Sequence, residues 1–597
     1  MQTNILTSIA ATAEKCRSVF SDSRKQEGVE KPSPWKRLCV GFLVCAATAI
    51  ASPAQITFTK LQDFDGPNGA QPAYMSLIQG IDGYMFGTTQ AGGTYSQGSI
   101  FALTTAGALG PLHDFCAVLN GNGYCTDGAV PYGGLVQAAD GTFYGTTSLG
   151  GDGGLNGGDN GTIFKFTWGT TPQLTPIYNF QYTDGAYPYA GLVQGSGDIF
   201  YGTTYEGGTG HSGTIFSITA GATPAFKSLY NFCLQSSCPD GAYPISGLVE
   251  TANGTLYGTT SFTAFNFSPG PEKLNTLDPF CIGTSCDTFD GPYGTLIQGN
   301  DGSFYGTTSG GTTGYGTIFK ITPGGSPVFK TLYTFCSDPP SCPDGSKPTG
   351  TLVQGSDGIF YGTTQNGGAN SNHGTIFKFT PDPTPALVTL YSFCAQPACA
   401  DGSQPYGGLI QDTNGTFFGT TFSGGAHGDG TIFSLSVGLG PFVETKTTFG
   451  KEQAHIGILG QGFSSSSVVE FGGTAATSVT RTGTTFISAA VPPDAQTGPV
   501  TVTTTLGTLT SNKTFHVTPT ISSFSPAMGP VGTVVTINGT GLMQMPKVTF
   551  FDGKSVTPSM ISDTQIMATV PTGAMTGKIK VTTPGGSVST TTNFTVN

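Results

Sequence analysis

The chain has 597 residues, 91 of them glycine, with 10% charged side chains and a formal net charge of -12. So many turn formers among so few helix formers exclude a helical protein, and the acidic balance excludes a surface that grips nucleic acid by its phosphates. Phe, Tyr, Leu and Ile recur at regular positions, which excludes disorder, and the length calls for more than one core.

The first segment reads as an export leader. Lys36 and Arg37 precede an apolar run from Leu38 to Ala51, too short to span a bilayer, with small residues suited to cleavage at Ala51 or Ala54. Residues 1–54 are therefore set aside as a leader with its apolar region at 38–51. The remainder carries 16 basic and 31 acidic residues. No transmembrane segment is expected after cleavage, and the expected destination is the exterior or the cell surface of a bacterium. Cysteine usage agrees. Beyond the leader the cysteines form five close pairs, Cys116 with Cys125, Cys233 with Cys238, Cys281 with Cys286, Cys336 with Cys342 and Cys394 with Cys399. Local pairing in an exported chain predicts disulfides, whereas zinc would call for regular spacing and a recurring histidine.

From residue 55 one pattern repeats. Gly-Thr-Thr after an aromatic residue stands at Gly87, Gly145, Gly202, Gly258, Gly306, Gly362 and Gly419, in steps of 58, 57, 56, 48, 56 and 57 residues. Each copy holds four short apolar segments. Between Leu332 and Thr380 these are Leu332-Tyr333-Thr334-Phe335, Thr351-Leu352-Val353-Gln354, Ile359-Phe360-Tyr361-Gly362-Thr363-Thr364 and Gly374-Thr375-Ile376-Phe377. Four strands in each of seven copies predict a seven-bladed β-propeller over 55–439. Asp357-Gly358 marks a tight hairpin, and the Cys-bearing connection is long, so Leu-Val-Gln is the inner strand and Leu-Tyr-x-Phe the outer one. The last copy lacks an outer strand, which predicts that Lys60 to Phe64 supplies it and closes the ring. The fourth copy has no Gly-Thr-Ile-Phe after Thr260, and a distorted blade is expected there.

These segments resemble the GloVer-type tandem repeat of exported bacterial proteins, a family that implies no activity to carry over. Beyond Val437 the period stops. Ile521-Ser522-Ser523-Phe524-Ser525-Pro526, Gly529-Pro530-Val531-Gly532 and Val534 to Gly541 resemble the opening of an IPT/TIG immunoglobulin-like domain. A first copy is similar at Ile458 to Phe463, Phe471-Gly472-Gly473 and Phe515-His516-Val517 but lacks the Ser-Pro opening. The expected architecture is thus all-β, the propeller followed by two IPT/TIG β-sandwiches at 440–517 and 518–597.

No catalytic motif rises above background, and no cofactor is called for. Candidate ligand groups are the repeat aspartates Asp127, Asp184, Asp240, Asp344 and Asp401, with Asp65 and Asp290 at the equivalent places, because carboxylates accept hydrogen bonds from sugar hydroxyls and coordinate cations. Each could equally cap its own turn, which repetition in every copy favours. His211, His373 and His427 lie in loops on the same end, where a general base or metal ligand is conceivable but exposed residues without a role are the better account. A metal at any of them is left open. These features lead to an exported or cell-surface binding or adhesion protein, expected to be monomeric. Its propeller would offer loops to an extracellular glycan, a cell-wall polymer or a protein, and not to nucleic acid. A propeller-based polysaccharide lyase or hydrolase, and a purely structural surface component, are the alternatives.

Overall fold

The computed structural model describes residues 56–597 apart from short stretches, the longest being 73–75, 153–158 and 280–290. The leader, the Cys281 and Cys286 pair and Asp290 lie outside the described residues. The described chain is all-β, and among its residues no helix is long and apolar enough to cross a membrane.

Among the described residues, seven four-stranded antiparallel sheets lie between Thr57 and Ser436. One of them runs Val353–Gln354, Phe360–Thr364, Thr375–Thr380 and Ala386–Ser392, hydrogen-bonded in that order. Where the second strand reads Phe-Tyr-Gly-Thr-Thr, each residue holds the sheet through a different contact. Its glycine lies under a phenylalanine of the third strand: a Cβ at Gly202 would stand 2.4 Å from Phe216 Cζ and 2.9 Å from a Leu192 methyl. Its tyrosine packs on the next sheet, Tyr144 on Phe200, Tyr305 on Phe360 and Tyr361 on Phe417, each at 4.3 Å between ring centroids. The first threonine reaches the next sheet too, Thr146 donating to the Ala190 carbonyl at 2.9 Å and Thr363 to that of Gly407 at 2.8 Å. The second stays at home, Thr147 meeting the Thr162 hydroxyl at 2.8 Å.

Successive sheets share apolar cores, and Leu77 and Phe101 of the first meet Phe64, Phe418 and Ile432 of the last in the same way. Each buried phenylalanine contributes ~1.5–3 kcal/mol relative to exposure. Thr57–Asp63 pairs antiparallel with Thr431–Ser436 as the outer strand of the last sheet, where the strand phase puts it. A second lock lies near the inner edge, where Gln79 donates to the Thr413 hydroxyl at 3.0 Å and accepts from the Thr413 N–H at 3.1 Å. Both open edges are thereby covered.

The fourth sheet departs from expectation. It keeps four strands, with Thr263–Ser268 in the third place and Ala264 and Phe265 buried where other copies bury Ile and Phe. What is missing is the Gly-rich loop, replaced by a turn in which Thr260 N–H donates to the Thr263 carbonyl at 2.8 Å. The short step of 48 residues is therefore a lost loop and not a lost strand.

Two sandwiches follow, with separate cores around Ile458, Phe471 and Phe515 and around Ile537, Phe550 and Phe594. Both carry a short parallel pairing of an early strand with the last one, Phe449 with His516 in the first and Met528 with Thr595 in the second. The first sandwich touches the ring: Thr485 donates to the Ile81 carbonyl at 2.8 Å, and Gln461 to Thr413 at 2.9 Å.

Candidate functional site

Strand alternation gives the ring two ends. The Cys loops and the Gly-rich loops between second and third strands share one, and they touch: Gly151, Gly368 and Gly425 donate N–H groups to the carbonyls of Cys125, Cys342 and Cys399, each at 2.9 Å. Disulfides join Cys116 to Cys125, Cys233 to Cys238, Cys336 to Cys342 and Cys394 to Cys399 at this end.

The repeat aspartates sit beside these clips and are engaged within their own turns. Asp240 accepts from the Tyr230 hydroxyl at 2.8 Å and from Cys233 N–H, and Asp344 does the same with Tyr333 at 2.9 Å and Cys336 N–H. Asp401, fully buried, takes Tyr391 at 2.6 Å and the N–H groups of Ala395 and Gln396. Asp184 accepts from Tyr178 and from Gln181 N–H, and Asp127 has His113 in place of the tyrosine, with Ala117 and Val118 N–H donating as well. Burial and the neighbouring carboxylate push the Tyr178, Tyr230, Tyr333 and Tyr391 phenols up, so each stays a proton donor. Asp65 caps a local turn, accepting from Asn68 N–H at 3.0 Å. The histidines are not brought together. His211 lies 5.7 Å from the Tyr182 ring, His373 has its Nε2 3.9 Å from Cys399 Sγ, and His427 is exposed.

The structure instead gathers residues that the repeat reading passed over. Each inner strand is entered through a proline, and the residues around that proline vary from copy to copy. Gln71, Val130, Tyr187, Tyr243, Lys347 and Gln404, each next to the proline, have φ between 52° and 57°. A side chain in the left-handed region before proline is a conformation that costs ~1–3 kcal/mol. It is held by backbone bonds such as Val130 N–H to Gln97 and Lys347 N–H to Tyr315, at 2.8 and 2.7 Å.

Just after that kink stand Tyr132, Tyr189, Ile245, Tyr293, Thr349 and Tyr406. Tyr132, Tyr189, Ile245 and Tyr293, with Tyr205 just past the end of a second strand, line a cavity of about 490 Å³ at the ring axis, together with Leu135, Leu192 and Leu248. The rings form an arc, Tyr132 to Tyr189 at 5.0 Å, Tyr189 to Tyr205 at 5.1 Å and Tyr205 to Tyr243 at 5.2 Å. Burial, with Tyr132, Tyr205 and Glu206 nearby, pushes the Tyr189 phenol up to about 12. The arc therefore offers neutral rings with hydroxyl donors beside these leucines. The Phe-Tyr pairs of the repeat strands, by contrast, are buried between sheets. The sequence signal for the arc was the varying residue after each of these prolines, as in Pro131-Tyr132 and Pro188-Tyr189.

Among the described residues, repeated four-stranded sheets form a closed ring that carries this tyrosine-lined cavity. Residues 262–487 match the family model of the Gloeobacter/Verrucomicrobia repeat and residues 519–596 that of the IPT/TIG domain, so the chain carries the repeats of the first and a domain of the second. The repeat match runs beyond Ser436 into the first sandwich. No curated protein matches the chain. Among solved structures, a fungal alcohol oxidase of the AA5 family is similar at 12% identity and a TM-score of 0.42, covering 91% of this chain and 100% of its own. An oligogalacturonate lyase from Vibrio parahaemolyticus gives 11% and 0.39 over 64% of this chain and 94% of its own. A surface glycan-binding protein from Prevotella bryantii gives 21% and 0.19 over 26% and 39%. At these scores the likeness transfers no activity.

Proposed function

We propose that the ring is a seven-bladed β-propeller in an exported, surface-exposed protein, and that it binds a glycan or cell-wall polymer at the tyrosine-lined cavity. The observation that carries this reading is the broken symmetry. Features present in every copy serve the fold, whereas the tyrosine arc spans only adjoining copies and surrounds a cavity of ligand size. Tyrosine faces pack against the C–H face of a pyranose ring while their hydroxyls bond its rim. The disulfide-clipped loops suit an oxidising exterior. The two sandwiches, read as domains over 440–517 and 518–597, would hold the propeller away from an anchoring surface.

The test is a glycan array probed with the full chain and with Tyr189→Ala, with release of reducing ends measured alongside. Binding to defined glycans that falls at least tenfold in the variant is expected. Binding that survives Tyr189→Ala would reject the cavity, and reducing-end release would replace the binding reading with a hydrolase or lyase.

A further inference from the structure

The opposite end of the ring carries a second aromatic cleft. Hairpins between inner and second strands, and connections between third and outer strands, lie there by strand alternation. Trp168, in the connection between Thr162–Thr167 and Gln173–Asn179, and Tyr84, in the first hairpin, are each 39% exposed. Keeping two large rings in water is unfavourable unless something covers them. Their orientation is fixed: Trp168 meets the buried Phe86 ring edge-on at 5.9 Å and 73°, and stands 6.4 Å from Tyr84 at 59°. The two rings thus form a corner. A cleft of about 530 Å³ begins at Trp168 and is walled by Asp82 and Asp140 of the hairpins and by Thr482 to Thr485 of the first sandwich.

The charged groups of the lining are of one kind, carboxylates. Asp82 receives the Tyr84 N–H at 3.2 Å and Asp140 the Thr142 N–H at 2.9 Å, so each carboxylate is held in place with acceptor capacity to spare. Acceptors beside a fixed aromatic face suit a molecule with hydroxyl donors around an apolar ring face. Two carboxylates on a chain of net charge -12 disfavour an anion. The volume lies within the ~300–1,000 Å³ of small-ligand clefts.

We propose that this cleft between the ring and the first sandwich is a second carbohydrate subsite, independent of the tyrosine cavity, and that it takes an uncharged pyranose unit stacked on Trp168. Because the sandwich forms one wall, occupancy also braces the ring against it.

Trp35 and Trp168 are the two tryptophans of the chain, so a full-length Trp35→Phe variant leaves Trp168 as its one indole and reports on this cleft by its own fluorescence. The probes are cellohexaose, xylohexaose, mannohexaose, laminarihexaose and maltohexaose, with tetragalacturonate as the anionic control. A saturable emission change with at least one neutral hexasaccharide and none with tetragalacturonate is expected. It should weaken at least tenfold in Tyr84→Ala and in Asp82→Asn, both of which keep the indole, and stay within twofold in Tyr189→Ala. Silence toward all five neutral probes, or a response equal in Tyr84→Ala and the parent, overturns the proposal. Loss in Tyr189→Ala alone would assign the signal to the tyrosine cavity and likewise reject a second subsite.

Discussion

The two halves of the ring's mouth are built on the same repeat and present different chemistry. On one side Tyr132, Tyr187, Tyr189, Tyr205 and Tyr243 crowd together; on the other the matching positions hold Lys347, Thr349, Gln365, Gln404 and Gln71. Tyr406 and Phe422 are aromatic in the second half, and Tyr406 is already engaged, accepting from Gln365 Nε2 at 2.5 Å and packing on Phe422 at 4.8 Å. Underneath, the halves share one framework, apart from the fourth copy's missing loop and His113 in place of a clasped tyrosine. Glycine under phenylalanine, threonine to the next sheet and aspartate clasping tyrosine recur on both sides. Repeated residues hold the scaffold, and the proposed sites belong to positions that vary around the ring.

The strongest way to break that statement is to show that the scaffold is not equivalent around the ring. Gly202→Val and Gly362→Val each drive a side chain into a phenylalanine ring and a leucine, with Cβ contacts of 2.4 and 2.9 Å in the first and 2.7 and 2.8 Å in the second. Overpacking of this kind costs ~1–3 kcal/mol or more, and both variants should lose similar stability in urea titrations. A large loss in one and none in the other would show that the halves are held differently. The clasps come next. Asp240→Ala and Asp401→Ala strand a tyrosine hydroxyl and backbone N–H donors in their turns, at ~1–3 kcal/mol each. Asp401→Ala should be the costlier because its carboxylate is fully buried. Glycan binding by either variant, measured below its unfolding transition, should be unchanged; a selective loss of binding would return the aspartates to the list of ligand groups.

Sequence periodicity was enough for the strand phase and the closing strand, because Phe-Tyr-Gly-Thr-Thr states its own contacts: a residue that must be glycine, two that stitch and two that stack. It was less informative at the fourth copy, where Ala264-Phe265 does the work of Ile-Phe without the Gly-Thr that announces it elsewhere. The candidate sites were hardest to read. Asp127, Asp184, Asp240, Asp344 and Asp401 attract attention because they recur, yet recurrence is what a turn clasp produces. Tyr132 and Tyr189 recur only in part, and their meaning depends on which copies are neighbours across the axis. Trp168 and Tyr84 lie in different sheets, 84 residues apart, and no local pattern links them.

A functional contrast follows between Tyr189→Ala and Tyr406→Ala. Removing a platform ring costs ~1–2 kcal/mol of binding, so the first should weaken any glycan found on the array by about tenfold. The second, on the amide side, should leave affinity within about twofold. Equal losses would extend the site around the whole mouth and dissolve the contrast between its halves.

The smallest effect concerns the far ends of the same inner strands. There Gln137, Gln354 and Gln411 each accept from a backbone N–H of the preceding sheet and donate to a carbonyl of their own hairpin, at 2.8 to 3.2 Å. The fourth copy has Glu250 at this position, facing the Gly195 hairpin, and burial pushes its carboxyl up to about 7. A carboxylate can accept as glutamine does but cannot donate, so the protonated form fits the clamp. Since the folded form holds its proton more tightly than the unfolded one, this group favours folding most below about pH 4.5, and its contribution declines as pH rises toward 7. Glu250→Gln should remove that decline and, allowing for partial solvent screening, leave the protein more stable by about 1–2 kcal/mol at pH 8 and little changed at pH 4. Stability curves of the two proteins that stay parallel from pH 4 to 8 would mean that Glu250 is solvated, and that the fourth copy differs from its neighbours only in its missing loop.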